Sequence, residues 1–176
     1  RIVGVIQLFI ALLLLATLPV WNINKAENGS EGESVGLLSA LKIKGVPFLL
    51  IGFFAYCAAE ATAMQWASTY FVEVKGVAAD RAATFASLFY IGITAGRFIC
   101  GFITDKLGDR KLIIIGTAVV FSGIVALSLP INSYITAVIA FIAIGVGCAP
   151  IYPCIIHSTP QNFGAENSGA IIGIQM

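Results

Sequence analysis

The apolar residues of this chain fall into long runs separated by polar stretches, and run length is the first thing to read. A membrane-spanning helix needs about 20 mainly apolar residues. Five runs qualify: Ile2–Trp21, Val46–Phe71, Ala83–Ile103, Leu112–Leu129 and Tyr134–Ile156, with a sixth beginning near Ser168. The polar stretch Asn22–Lys44 cannot span, although SVGLLSALKIK at its end suits a short surface helix. Later connections are short: 73–81, 105–111, 130–133 and 157–167. Short connections force neighbouring helices to be antiparallel, so the expected fold is an all-α polytopic membrane bundle.

Composition agrees. Of 176 residues, 59% are hydrophobic and 11% charged, against about 25% charged in an ordinary soluble domain. A net charge of +1 offers no field for nucleic acid. The first residue is Arg, and the chain opens and closes inside apolar runs, so an internal piece of a longer membrane protein is expected. Three segments follow: 1–21 as one helix, 22–45 as a loop, and 46–176 as an incomplete bundle. Lys25, Lys42, Lys44, Lys106, Arg110 and Lys111 fall on one side, and Arg1, Lys75 and Arg81 on the other. Lys and Arg are retained in the cytoplasm, which places loops 22–45, 105–111 and 157–167 there.

Polar residues are shared unevenly among the spans. The first and fourth are almost wholly aliphatic and suit a lipid-facing position. The second carries Tyr56, Glu60, Gln65, Trp66 and Tyr70, and the third carries Arg97 near its cytoplasmic end. An acidic residue at mid-membrane costs about 2.5–3.5 kcal/mol, so Glu60 either ties helices together or serves a substrate or proton pathway. Trp66 and Tyr70 could stack on a sugar ring, Gln65 could bond hydroxyls, and each could equally be packing. Ala55, Ala59, Ala63 and Ala67, with Gly92 and Gly96, read as close-packing devices. Pro150 and Pro153 leave backbone carbonyls without donors, marking a helix break that either lines a cavity or is a plain kink.

Enzyme chemistry finds no support. The P-loop and H-E-x-x-H patterns are missing, and no nucleophile and base pair can be named. His157 has no second His or acidic cluster beside it in sequence, so neither a metal nor a catalytic role is expected. No cofactor is implied. Cys57, Cys100, Cys148 and Cys154 lie in apolar runs and read as small packing residues.

The stretch GRFICGFITDKLGDRK resembles the signature loop of the major facilitator superfamily, with Gly101, Asp105, Lys106, Gly108, Arg110 and Lys111 at its positions. The resemblance implies a partial major facilitator fold, five complete helices and the start of another, numbered six to eleven of twelve. It also implies that this cluster latches the bundle to a missing amino-terminal half and is released as access alternates; by residue type, Asp105 near a helix end can accept hydrogen bonds from a neighbouring helix N-terminus and from Arg97. YCAAEATAMQWASTYF and APIYPCIIHSTPQNFGAENSGAIIGIQM are similar to the fucose-permease-like sugar:proton symporters. The implied function is secondary transport of a small polar solute with protons across the plasma membrane. Efflux of drugs or metabolites by the same fold, or a non-transporting membrane sensor, are the rivals.

Overall fold

A computed structural model describes residues 2–21, 36–131 and 133–176. All its regular structure is helical: α1 (Ile2–Trp21), α2 (Leu37–Ala40), α3 (Val46–Glu73), α4 (Ala79–Leu107), α5 (Asp109–Ser128), α6 (Tyr134–Cys148), α7 (Ile151–Phe163) and α8 (Ala165–Gln175). Residues 1–34 and 35–176 form two separate units. The first contains α1, which covers the first expected span end to end. Most of the expected loop 22–45, with its Lys25, lies outside the described residues, as does Arg1.

In the second unit four stretches are long and apolar enough to cross a membrane: Val46–Glu73, Ala79–Leu107, Asp109–Ser128 and Tyr134–Phe163. This is the all-α polytopic bundle expected from the run lengths. The centre is α6. The most apolar part of the Tyr134–Phe163 stretch, α6 continuing into α7, is 61% buried, against 17% in each of the other three stretches, so it holds the interior while α3, α4 and α5 turn broad faces outward. Phe48, Phe54, Phe98 and Phe121 on those faces are largely exposed, as lipid-facing side chains should be.

Lipid tails are as apolar as the side chains, so helix association here depends on close packing more than on leaving water. Glycines supply it. A Cβ on Gly92 of α4 would overlap the Ile142 carbonyl oxygen, and one on Gly96 would sit 2.5 Å from the Ala149 Cβ. Gly145 of α6 faces Phe89 in the same way, while Gly147 and Gly116 bring α6 and α5 together. Gly92 and Gly96 were legible as packing devices; on α3, by contrast, Ala67 is buried while Ala55 and Ala59 are exposed. An aromatic cluster closes the end nearest Glu73: Phe71, fully buried, meets Phe85 and Phe141 at 5.5 and 5.4 Å between ring centroids.

Connections are tighter than the sequence suggested. The expected 105–111 loop contracts to Gly108, whose φ of 76° and ψ of 155° suit only glycine; α4 runs to Leu107 and α5 starts at Asp109. Asp105 and Lys106 therefore occupy the last turn of α4, and Arg110 and Lys111 the first turn of α5. The expected 157–167 loop is likewise mostly helix: α7 continues to Phe163, and Gly164 at φ 86° turns the chain directly into α8 at Ala165, ahead of Ser168. The fifth span is interrupted at Ala149–Pro150, as the prolines led us to expect. Pro150 is the N-cap of α7, and Pro153 is in its first turn, where a missing N–H is tolerated.

Two faces of the bundle are thereby defined. Lys75 donates to the Ile131 carbonyl at 2.8 Å and lies over the Tyr70 ring, tying connections 74–78 and 129–133 together. At the other end Gly45 abuts Phe163, and Ala40 of α2 is buried with Val46 and Ile171. The short helix expected near residue 40 thus forms, but it packs against α8 through Ala40.

Candidate functional site

The mid-membrane polar group is centred on α3. Glu60, half-buried, is one turn from Tyr56, which is 8% exposed and packs with Cys148 and Ile151. Tyr56 has Glu60, Cys148 and Arg97 as its titratable or charged neighbours, so residues from α3, α4 and α6 converge here. At 100° per residue, Tyr56, Glu60 and Tyr70 share one side of α3, while Gln65 points to the opposite side of the helix from Tyr56. The sequence grouped Gln65 with the others because composition along a span carries no phase. Phase separates it.

Trp66 and Tyr70 belong to a second place. With Thr62, Ala63, Ile124, Leu127 and Phe141 they line an apolar cavity of about 420 Å³ between α3, α5 and α6. The Tyr70 hydroxyl donates to the Leu127 carbonyl at 3.0 Å, and its ring meets Phe141 edge-on. Tyr56 instead lines a neighbouring cavity of about 390 Å³ with Ala59, Thr117 and Cys148. Three of the five candidates thus line two cavities, Tyr56 one and Trp66 with Tyr70 the other, while Glu60 lines neither and Gln65 lies on an outward face; Ala59 is shared between the cavities.

Arg97 is not near the end of its helix. It stands about ten residues before Leu107, roughly 15 Å along α4, and eight residues from Asp105. That separation along one helix is too long for the expected Arg97–Asp105 bond, and the structure shows none among the described residues. The ion pair it does show joins His157 Nδ1 to Asp109 Oδ2 at 2.7 Å. Asp109 fills an unconstrained position of the signature loop, and nothing near His157 in sequence flagged it. The available signal was topological: alternating helices bring the start of α5 and the end of α7 to the same face.

Around that pair is a cavity of about 540 Å³, lined by Arg97, Cys100, Gly101 and Thr104 of α4, Asp109 of α5, and Tyr152, Pro153, Cys154 and His157 of α7. The stretch Tyr134–Phe163 rises about 45 Å in 30 residues, more than the roughly 30 Å hydrocarbon layer. His157 follows Ile156, the last residue of the apolar run expected to span. His157 is largely exposed, and the hydrogen bond and charge of Asp109 raise its pKa above the ordinary histidine value, aided by Asp105. Lys106, Arg110 and Lys111 are exposed on the same face.

Such a glycine-packed bundle, with ionisable groups at mid-membrane and a charged one-residue turn, is the construction of a polytopic membrane protein of the transporter type. The family model of the Major Facilitator Superfamily matches residues 2–176, and the chain belongs to that superfamily. An uncharacterised MFS-type transporter of Yersinia pestis is 27% identical over 107 residues, covering 60% of this chain. The matched stretch spans 28% of that relative's length. No solved structure matches.

Proposed function

We propose that the protein is a secondary active transporter that moves a small polar solute, a sugar in particular, together with protons by alternating access. Glu60 carries this reading. A carboxyl at the middle of a 28-residue span costs about 2.5–3.5 kcal/mol on insertion scales, and it stands beside Tyr56, within electrostatic reach of Cys148, with Arg97 close by. A group that takes and releases a proton there couples solute movement to a proton gradient. Tyr56 orients it, and Trp66 and Tyr70 supply aromatic surface for a sugar ring. Gln65, on the opposite side of α3, would reach the solute only from a second bundle wall, in line with a site completed by an amino-terminal half.

The face bearing Gly45, Gly108 and Gly164 is cytoplasmic on this reading, since it holds Lys42, Lys44, Lys106, Arg110 and Lys111 against Lys75 and Arg81 opposite. Its signature-loop residues, Gly101, Asp105, Lys106, Gly108, Arg110 and Lys111, form the latch, and the plasma membrane is the proposed location. Proteoliposomes of the whole protein test the reading. Glu60→Gln should abolish or strongly reduce hexose uptake driven by an inward proton gradient; uptake equal to wild type removes Glu60 from the mechanism.

A second reading has one observation in its favour. The cavity holding Trp66, Tyr70 and Phe141 is lined almost wholly by apolar atoms and suits a lipophilic solute, which points to efflux. Thermal-shift screening of hexoses against lipophilic cations separates the two, because only the true solute class should stabilise the purified protein.

A further inference from the structure

Asp109 presents an unusual problem. Its side chain is only 10% exposed, one oxygen is bonded to His157, and the other, Oδ1, is buried with no hydrogen-bond partner. A half-satisfied buried carboxylate is costly unless an opposite charge lies against it. Its position at the first residue of α5 helps, because the helix N-terminus favours negative charge. The remaining compensation has to come from across the helix interface.

His157 is placed to give it. A carboxylate only accepts, so Nδ1 must carry the hydrogen of the 2.7 Å bond, which fixes the tautomer and leaves Nε2 as the open acceptor. The imidazole side chain is 65% exposed, so solvent reaches that edge. We propose that His157 and Asp109 form a proton-binding dyad that clasps the start of α5 to the end of α7. Nε2 takes a proton from solvent, the resulting imidazolium neutralises the buried carboxylate, and the α5–α7 contact tightens. Loss of that proton leaves a neutral imidazole against an uncompensated carboxylate, and the clasp loosens.

The surrounding charges set the balance. From α4, Asp105 favours a cation at His157, and Arg97 and Cys100 line the same cavity. From α5 comes Asp109 itself, and from α7 Tyr152 and Cys154; α3 and α8 contribute nothing to the lining. Asp109 first and Asp105 after it raise the His157 value, and desolvation alone opposes them. The clasp is therefore closed below the ordinary histidine value of about 6.5 and opens as pH rises through the raised one. This site is distinct from Glu60 and needs neither a sugar nor transport to operate.

Histidine-selective NMR on the whole protein in nanodiscs tests the dyad, with His157 assigned by the signal missing from His157→Gln. The midpoint of His157 should lie above the ordinary value and fall toward it in Asp109→Asn. Asp105→Asn, which removes the more distant carboxylate and leaves the pair intact, should lower it only slightly, and the raised wild-type midpoint decides the matter if Asp109→Asn does not assemble. A wild-type midpoint at the ordinary value, a midpoint unmoved by Asp109→Asn, or one returned to the ordinary value by Asp105→Asn overturns the proposal. Loss of proton-driven uptake in Glu60→Gln with an unchanged His157 titration would leave the dyad standing, and the reverse result would leave the transport reading standing.

Discussion

Substituting alanine for Gly96 puts the packing argument to a numerical test. The new methyl would meet the Ala149 Cβ at 2.5 Å and the Val146 carbonyl oxygen at 2.9 Å, where ordinary contact begins at 3.4 Å. The α4 helix must therefore retreat from α6 by about 0.5–0.9 Å locally, and a gap of that size forfeits a quarter to a half of each dispersion contact it opens. With about 20 atom pairs at 0.1–0.2 kcal/mol each, the loss is about 1 kcal/mol, and residual overlap carries the total toward about 1–3 kcal/mol. The usual gain of about 1 kcal/mol for Gly→Ala in a helix offsets little, because a span released from its neighbours in a bilayer is still a helix. Unfolding in mixed micelles of the whole protein reads the change. Gly52→Ala, where nothing lies within 4 Å, is the control and should stay within about 0.5 kcal/mol of wild type. The pair Gly92→Ala with Gly145→Ala should cost less than its two singles together, since one parting of the helices clears both methyls. If Gly96→Ala matches Gly52→Ala, close backbone approach is not what joins α4 to α6.

Further outcomes follow from single contacts. Phe71→Ala opens a void of about 100 Å³ among Tyr70, Phe85 and Phe141, and at about 24 cal/mol per Å³ should cost about 2.4 kcal/mol in the same unfolding assay. Tyr70→Phe removes the donor to the Leu127 carbonyl and should cost about 1 kcal/mol, leaving the ring packing intact by near-ultraviolet circular dichroism. Gly108→Ala forces a side chain into a φ of 76° with extended ψ and should lower stability by about 1–3 kcal/mol; a neutral result would mean that the turn adopts another geometry. Because the His157 value is raised on folding, its stabilising contribution is complete below about pH 6.5 and fades as pH rises through the raised value. Thermal scans across pH should show that decline in wild type and lose it in His157→Gln.

The membrane fold was legible because run length and loop length are local quantities. Ile2–Trp21 and the number and order of the later spans follow from counting apolar residues, and Pro150 marked its own break. Gly92 and Gly96 announced a close contact, but their partners on α6 could not be named from the sequence. The loops were drawn too long because Asp105, Lys106, Asp109 and His157 are polar, and polarity marks the end of the hydrocarbon layer and not the end of the helix. The candidate site was legible as a composition on α3 and not as a place. Angular position around the helix turns Gln65 away from Tyr56, and only the packing of α5 and α6 shows that Trp66 and Tyr70 share a cavity. Asp109 and His157, 48 residues apart, are joined by topology alone.

The single-residue turns at Gly108 and Gly164 give one end of the bundle almost no slack, while 74–78 and 129–133 at the other end are longer. Neighbouring helices joined by one glycine cannot slide past each other lengthwise; they can only splay about the turn like the legs of a compass. Any rearrangement of this bundle must then be widest at the end of Lys75 and Ile131 and narrowest at Gly108. Spectroscopic distance probes placed near Ala79 and Leu129 would report far larger excursions than the same pair placed near Leu107 and Leu112.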